Sequence, residues 1–163
     1  MSEMEFRDLK TQYQNNKVQI DNAIQGVLSK SNYILGQEVV EIEKRLADYV
    51  GEKYCVTCAN GTDALQLALM TWEIGKGDAV FVPDFTFFST GEVVAAVGAT
   101  PIFVDVEWET CNISPESLSE KIEEVLKKKN LMPKAIISVD LFGLPANYAA
   151  LIKIAHKYNL LLL

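Results

Sequence analysis

Residues 54–64 read Tyr54-Cys55-Val56-Thr57-Cys58-Ala59-Asn60-Gly61-Thr62-Asp63-Ala64, a β-favouring run followed by a glycine and the opening of a helix. Leu65, Leu67, Ala68 and Leu69 carry that helix onward. At such a junction Gly61 lets a ligand approach the backbone closely, and the first N–H groups of the helix, lacking intrahelical partners, face it with the positive end of the dipole. Two readings fit these residues equally well. One is a phosphate cradle; the other is a helix capped by Asn60 or Thr62 with no ligand at all.

Outward from this junction the chain alternates. Apolar runs at Tyr54 to Thr57, Ala79 to Val82, Pro101 to Val104, Ala135 to Val139 and Leu160 to Leu163 predict strands. Helical spacing is expected for Thr62 to Trp72, about Thr90 to Val97, Pro115 to Lys128 and Asn147 to Tyr158, with Ser114-Pro115-Glu116 a strong helix start. Strands that are continuously apolar are buried on both faces, so the pattern predicts an α/β fold: a three-layer α/β/α arrangement around a mostly parallel sheet. Before it, Ile20, Ile24, Val27 and Leu28 share one helical face, and Val39, Ile42, Leu46 and Tyr49 share another. The expected division is an N-terminal helical segment over 1–52 and an α/β domain over 53–163.

Composition narrows the function. Of 163 residues, 49% are hydrophobic and 23% charged, and no apolar run is long enough to cross a membrane. The acidic start Met1-Ser2-Glu3-Met4-Glu5 is unlike a secretion signal, so a cytoplasmic location is expected. A net charge of −7 opposes nucleic-acid binding, and the one basic run, Lys127-Lys128-Lys129, complements the end of a predicted helix. Cys55, Cys58 and Cys111 lack metal-ligand spacing and read as small buried hydrophobes, so no metal site is expected. Asp78 and Asp105 read as turn and cap residues, and the only histidine, His156, as a helix-end residue.

Ligands in open α/β sheets sit beyond the carboxyl ends of strands. Three segments lie there: Asn60-Gly61-Thr62, Pro83-Asp84-Phe85-Thr86-Phe87-Phe88-Ser89-Thr90, and Asp140-Leu141-Phe142-Gly143. Of Phe85, Phe87 and Phe88, at least two are expected in the core, leaving one to lie against a planar ring. A phosphate cradle beside a stacking aromatic suits pyridoxal phosphate. A lone Gly61, without G-x-G-x-x-G spacing, argues against a dinucleotide.

The chain also resembles the sugar-nucleotide aminotransferases of the DegT/StrS group, within the aspartate-aminotransferase fold type. The matching pieces are Phe6-Arg7-Asp8-Leu9-Lys10, Tyr33-Ile34-Leu35-Gly36, Ala59-Asn60-Gly61-Thr62-Asp63-Ala64-Leu65, Gly77-Asp78, Phe85-Thr86-Phe87 and Gly98-Ala99-Thr100-Pro101-Ile102-Phe103-Val104-Asp105, in this order. The resemblance implies the first part of a large pyridoxal-phosphate-binding domain, in a homodimer that moves an amino group from glutamate to a keto sugar nucleotide. Gly61 and Thr62 would hold the cofactor phosphate, Phe87 would stack on its ring, and Tyr33 and Gly36 would lie near the sugar nucleotide. Asp140 stands where relatives often carry histidine. By the same resemblance the Schiff-base lysine and the acid that protonates the pyridine nitrogen lie beyond Leu163, which reads as a break at a strand end that exposes four leucines and leaves 163 residues inactive alone. A non-catalytic binding or regulatory segment of the same fold is the rival expectation.

Overall fold

The computed structural model describes residues 7–163; the acidic start at 1–5, and Phe6 of the opening motif, lie outside the described residues. The chain forms two compact units, Met1–Thr57 and Cys58–Leu163.

In the first unit, α1 (Leu9–Lys30) begins where the Asp8 carboxylate accepts the Thr11 N–H at 2.9 Å, and α2 (Gln37–Val50) ends at Gly51 with φ 76°. Lys30 and Glu38 pair at 2.9 Å. Gly36 has a packing reason of its own, because a Cβ there would fall 2.8 Å from the Asn32 carbonyl oxygen. The expected strand at Tyr54 to Thr57 does not form. A strand needs a neighbour for its N–H and C=O groups, and here the Glu43 carboxylate accepts both the Thr57 N–H at 2.9 Å and its hydroxyl at 2.8 Å. Tyr54 and Val56 are accordingly exposed. Left outside any sheet, the cysteines of this stretch are not core residues either: Cys58 is exposed, with its thiol 3.2 Å from the Asn60 carbonyl oxygen, and Cys55, like Cys111, is only half-buried.

The second unit runs α3 (Gly61–Thr71), β1 (Asp78–Pro83), α4 (Ser89–Ala96), β2 (Thr100–Val104), α5 (Pro115–Lys128), β3 (Met132–Ile136), a 3-10 turn at Leu141–Gly143, α6 (Tyr148–Tyr158) and β4 (Leu161–Leu162). Its sheet is parallel throughout, in the order β2-β1-β3-β4. The continuous apolar run of β1 is explained by its two faces. Ala79 and Phe81 pack with Leu118, Ile122 and Leu151 of α5 and α6, while Val80 and Val82 pack with Leu69, Val93 and Val94 of α3 and α4. That is the three-layer α/β/α expectation realised. The four terminal leucines are mostly covered: Leu160 and Leu162 join the α5/α6 layer and Leu163 the α3/α4 layer, leaving Leu161 exposed, because β4 pairs with β3. Among the described residues no helix is long and apolar enough to cross a membrane.

Candidate functional site

The helix start at Asn60 answers to both readings of its sequence. The Asn60 side chain caps α3 by accepting the Asp63 N–H at 2.8 Å, which leaves the N–H groups of Gly61 and Thr62 without an intrahelical acceptor. A Cβ built on Gly61 would meet nothing within 4 Å. Glycine is therefore not demanded by neighbouring protein atoms; the space beside it is open.

That space belongs to a cleft of about 540 Å³, a size suited to a small ligand. Three chain segments wall it: Gly61, Thr62 and Leu65 from the start of α3; Thr86, Phe87, Ser89 and Thr90 from the β1–α4 connection; and Ile137 to Leu141 after β3. The chain leaves β1 for β2 on one side and returns to β3 on the other, so the cleft lies at the carboxyl ends where the strand order reverses. Gly61, Thr62 and Phe87 are thus brought together. Tyr33, 62% exposed, and Gly36 lie in the first unit, between α1 and α2.

None of the three phenylalanines after β1 is in the core, contrary to expectation: Phe85, Phe87 and Phe88 are 51%, 75% and 76% exposed. They follow Pro83, past the end of the strand, and the inward positions of α4 are taken by Ser89, Thr90, Gly91, Val93 and Val94. Phe87 also lines a second groove of about 320 Å³ with Phe88, Ala95 and Phe103. That groove presents the carboxylates of Asp84 and Glu92, whereas the helix-start cleft offers an anion the free N–H groups of Gly61 and Thr62.

The sequence reading placed Thr86, Thr90 and Asp140 beyond strand ends without their partners, and it missed Asn112. The Thr86 and Thr90 hydroxyls lie 3.1 Å apart, a contact that helical spacing does not announce because Thr86 precedes α4. Asp140, in the cleft wall, accepts the Ala146 N–H and the Tyr148 hydroxyl, both at 2.9 Å on Oδ1. Asn112 is 3% exposed and bonds Leu141 N–H and the Leu144 carbonyl, 29 and 32 residues away, a separation that no local pattern announces. Asp78 and Asp105 keep their local roles, accepting the Gly75 N–H at 3.0 Å and the Val106 N–H at 2.8 Å; His156 is exposed in the last turn of α6.

The Ser138 hydroxyl, 3.3 Å from the Tyr148 oxygen, favours the ionised phenol, but burial and the adjoining Asp140 carboxylate outweigh it and raise the Tyr148 pKa. The stability that the neutral phenol contributes is thus present below the ordinary tyrosine value and is lost as pH rises through the raised one. In an absorbance titration one tyrosine should ionise later than the bulk, and Asp140→Asn should abolish the lag; no late tyrosine in the wild type would contradict this geometry.

Comparison with known proteins places this architecture. Residues 14–163 match the DegT/DnrJ/EryC1/StrS aminotransferase family. The chain belongs to that family. Among relatives of this DegT/DnrJ/EryC1/StrS chain, the UDP-2-acetamido-2-deoxy-3-oxo-D-glucuronate aminotransferase of Pseudomonas aeruginosa is 47% identical over 157 residues, covering 96% of this chain and 42% of that protein. A DegT DnrJ EryC1 StrS aminotransferase from Brucella abortus superposes with a TM-score of 0.96 at 49% identity, over 98% of this chain and 43% of that one. S. venezuelae DesV, solved in complex with a ketimine intermediate, superposes with a TM-score of 0.91 at 33% identity, over 99% of this chain and 42% of that one. The chain thus spans about two fifths of the length of these relatives.

Proposed function

We propose that this chain forms the phosphate- and ring-holding part of a pyridoxal-phosphate-dependent aminotransferase that passes an amino group from glutamate to a keto sugar nucleotide. The observation that carries the reading is the convergence of two free helix N–H groups, open space at Gly61 and an exposed Phe87 ring on one cleft at the switch point of the sheet. Membership of an aminotransferase family and relatives named for nucleotide sugars support it.

In this reading the cofactor supplies an aldehyde that carries the amino group and a pyridine ring that takes up electrons. Gly61 and Thr62 hold its phosphate through backbone N–H groups and the Thr62 hydroxyl, fixing one end of a small planar molecule. Phe87 lies against the ring face and excludes water from it. Tyr33 and Gly36 approach the sugar nucleotide. The family resemblance further supports a cytoplasmic homodimer, with the lysine and acid that act on the cofactor contributed from beyond Leu163, and a division into a helical segment at 1–52 and the start of the cofactor-binding domain at 53–163.

The full-length protein, supplied with glutamate and nucleotide-linked keto sugars, should yield aminated sugar and 2-oxoglutarate in equal amounts by mass spectrometry. Absence of both products, in protein that carries no visible-absorbing cofactor, would overturn the reading. Stacking at Phe87 is worth on the order of 1 kcal/mol beyond burial. Phe87→Ala should therefore weaken pyridoxamine phosphate binding about tenfold in equilibrium dialysis, with Phe87→Trp restoring most of it; equal affinity in wild type and Ala variant would remove Phe87 from the site.

A further inference from the structure

The turn from Asp140 to Ala146 is fixed from two directions. Asn112 spends both halves of its buried amide on it, donating to the Leu144 carbonyl at 2.9 Å and accepting the Leu141 N–H at 3.2 Å. Asp140 spends Oδ1 on the Ala146 N–H and the Tyr148 hydroxyl. Between these anchors Phe142 is held at φ 55°, a left-handed conformation that a bulky residue keeps only where its surroundings over-determine it. Such restraint leaves Asp140 little freedom to turn away from the cleft whose wall it forms.

Two further facts define what that wall can recognise. Asp140 Oδ2 has no hydrogen-bond donor among the described residues, although an ionised carboxylate accepts up to about four. The side chains that line the cleft include no lysine, arginine or histidine, so Asp140 is its only charged group. A sugar brings hydroxyl donors, which the free carboxylate oxygen accepts.

We propose that Asp140 is a specificity residue for the sugar nucleotide, its Oδ2 accepting a hydroxyl of the hexose ring, and that Asn112 is the positioning residue that holds it there. The inference rests on the aminotransferase reading of the cleft and deepens it. A hydrogen bond to a charged acceptor is the stronger kind, so its loss is read as roughly tenfold in affinity. Asp140→Asn keeps Oδ1 and removes the charge.

The test is calorimetric titration of full-length protein, loaded with pyridoxamine phosphate, with UDP-N-acetylglucosamine, dTDP-glucose and GDP-mannose. For the tightest of the three, Asp140→Asn should weaken binding about tenfold and Asn112→Ala several-fold, while both variants hold pyridoxamine phosphate within about twofold of wild type and keep the wild-type KM for glutamate. A structural role alone would lower the melting temperature and move cofactor and sugar together. Unchanged sugar affinity in Asp140→Asn, or a raised glutamate KM, overturns the proposal, as does binding of none of the three sugars. Transamination with an Asp140→Asn variant that binds sugar as wild type does would sink this inference and leave the function standing; Asp140-dependent sugar binding without transamination would do the reverse.

Discussion

Gly61→Asp is expected to abolish cofactor binding while leaving the fold as stable as before, or slightly more so. The Cβ of the new side chain meets no protein atom, with nothing within 4 Å of it. It also adds a negative charge to the first turn of α3, where the dipole favours one by about 0.3–1 kcal/mol. The melting temperature should therefore hold or rise by up to about 4 °C. In the cleft the same carboxylate takes the place proposed for the phosphate and repels it; two like charges at about 4 Å cost on the order of 4 kcal/mol near a protein surface. Affinity for pyridoxamine phosphate should fall at least about a hundredfold by equilibrium dialysis. Gly61→Ala, which adds bulk without charge, should lose less. An Asp variant that binds as tightly as wild type would show that the α3 start is merely a capped helix.

Phe81→Ala is expected to be the most damaging single truncation in the second unit. Phe81 is fully buried in the central strand, paired with Ile102 on one side and Ile136 on the other, and its carbonyl accepts the Ile137 N–H at 2.9 Å. Removing a buried phenyl ring costs about 3–5 kcal/mol, a large share of the roughly 5–15 kcal/mol that holds a domain folded. The cavity would open between the sheet and the α5/α6 layer, against Leu118, Ile122 and Leu151. Urea unfolding should thus show a midpoint lowered in proportion, with the slope unchanged. Phe103→Ala is the contrast: at 55% exposed on the edge strand β2, its loss should cost less than about 1 kcal/mol. Equal losses at the two positions would contradict the layered core.

The elements legible in sequence were those whose partners are close along the chain. Helix α5 was readable to the residue, because Ser114 caps it, Pro115 opens it and Lys127 and Lys128 close it. The four strands β1 to β4 announced themselves as apolar runs, most completely in β1, whose two faces are both covered. Tyr54 to Thr57 has the same β-favouring composition and failed, since composition says that a segment can pair and not whether a neighbour exists. The aromatic run at Phe85 to Phe88 failed for a related reason. Hydrophobicity marks candidates for burial, and only the end of β1 and the inward face of α4 determine that these rings stay outside.

By itself, then, the sequence determined the α/β class, the succession of helices and strands from α3 onward, and a helix start at Asn60 to Thr62, all products of contacts within a few residues. The tertiary structure alone decided which strand ends lie side by side, and so that Phe87 and Asp140 share a cleft with Gly61. It also decided that Asn112 braces the wall of that cleft across 29 to 32 residues. A chain cannot encode such a meeting locally, because the order of strands in a sheet is set by how whole layers pack, and a hydrogen bond between distant loops exists only once that packing has brought them together.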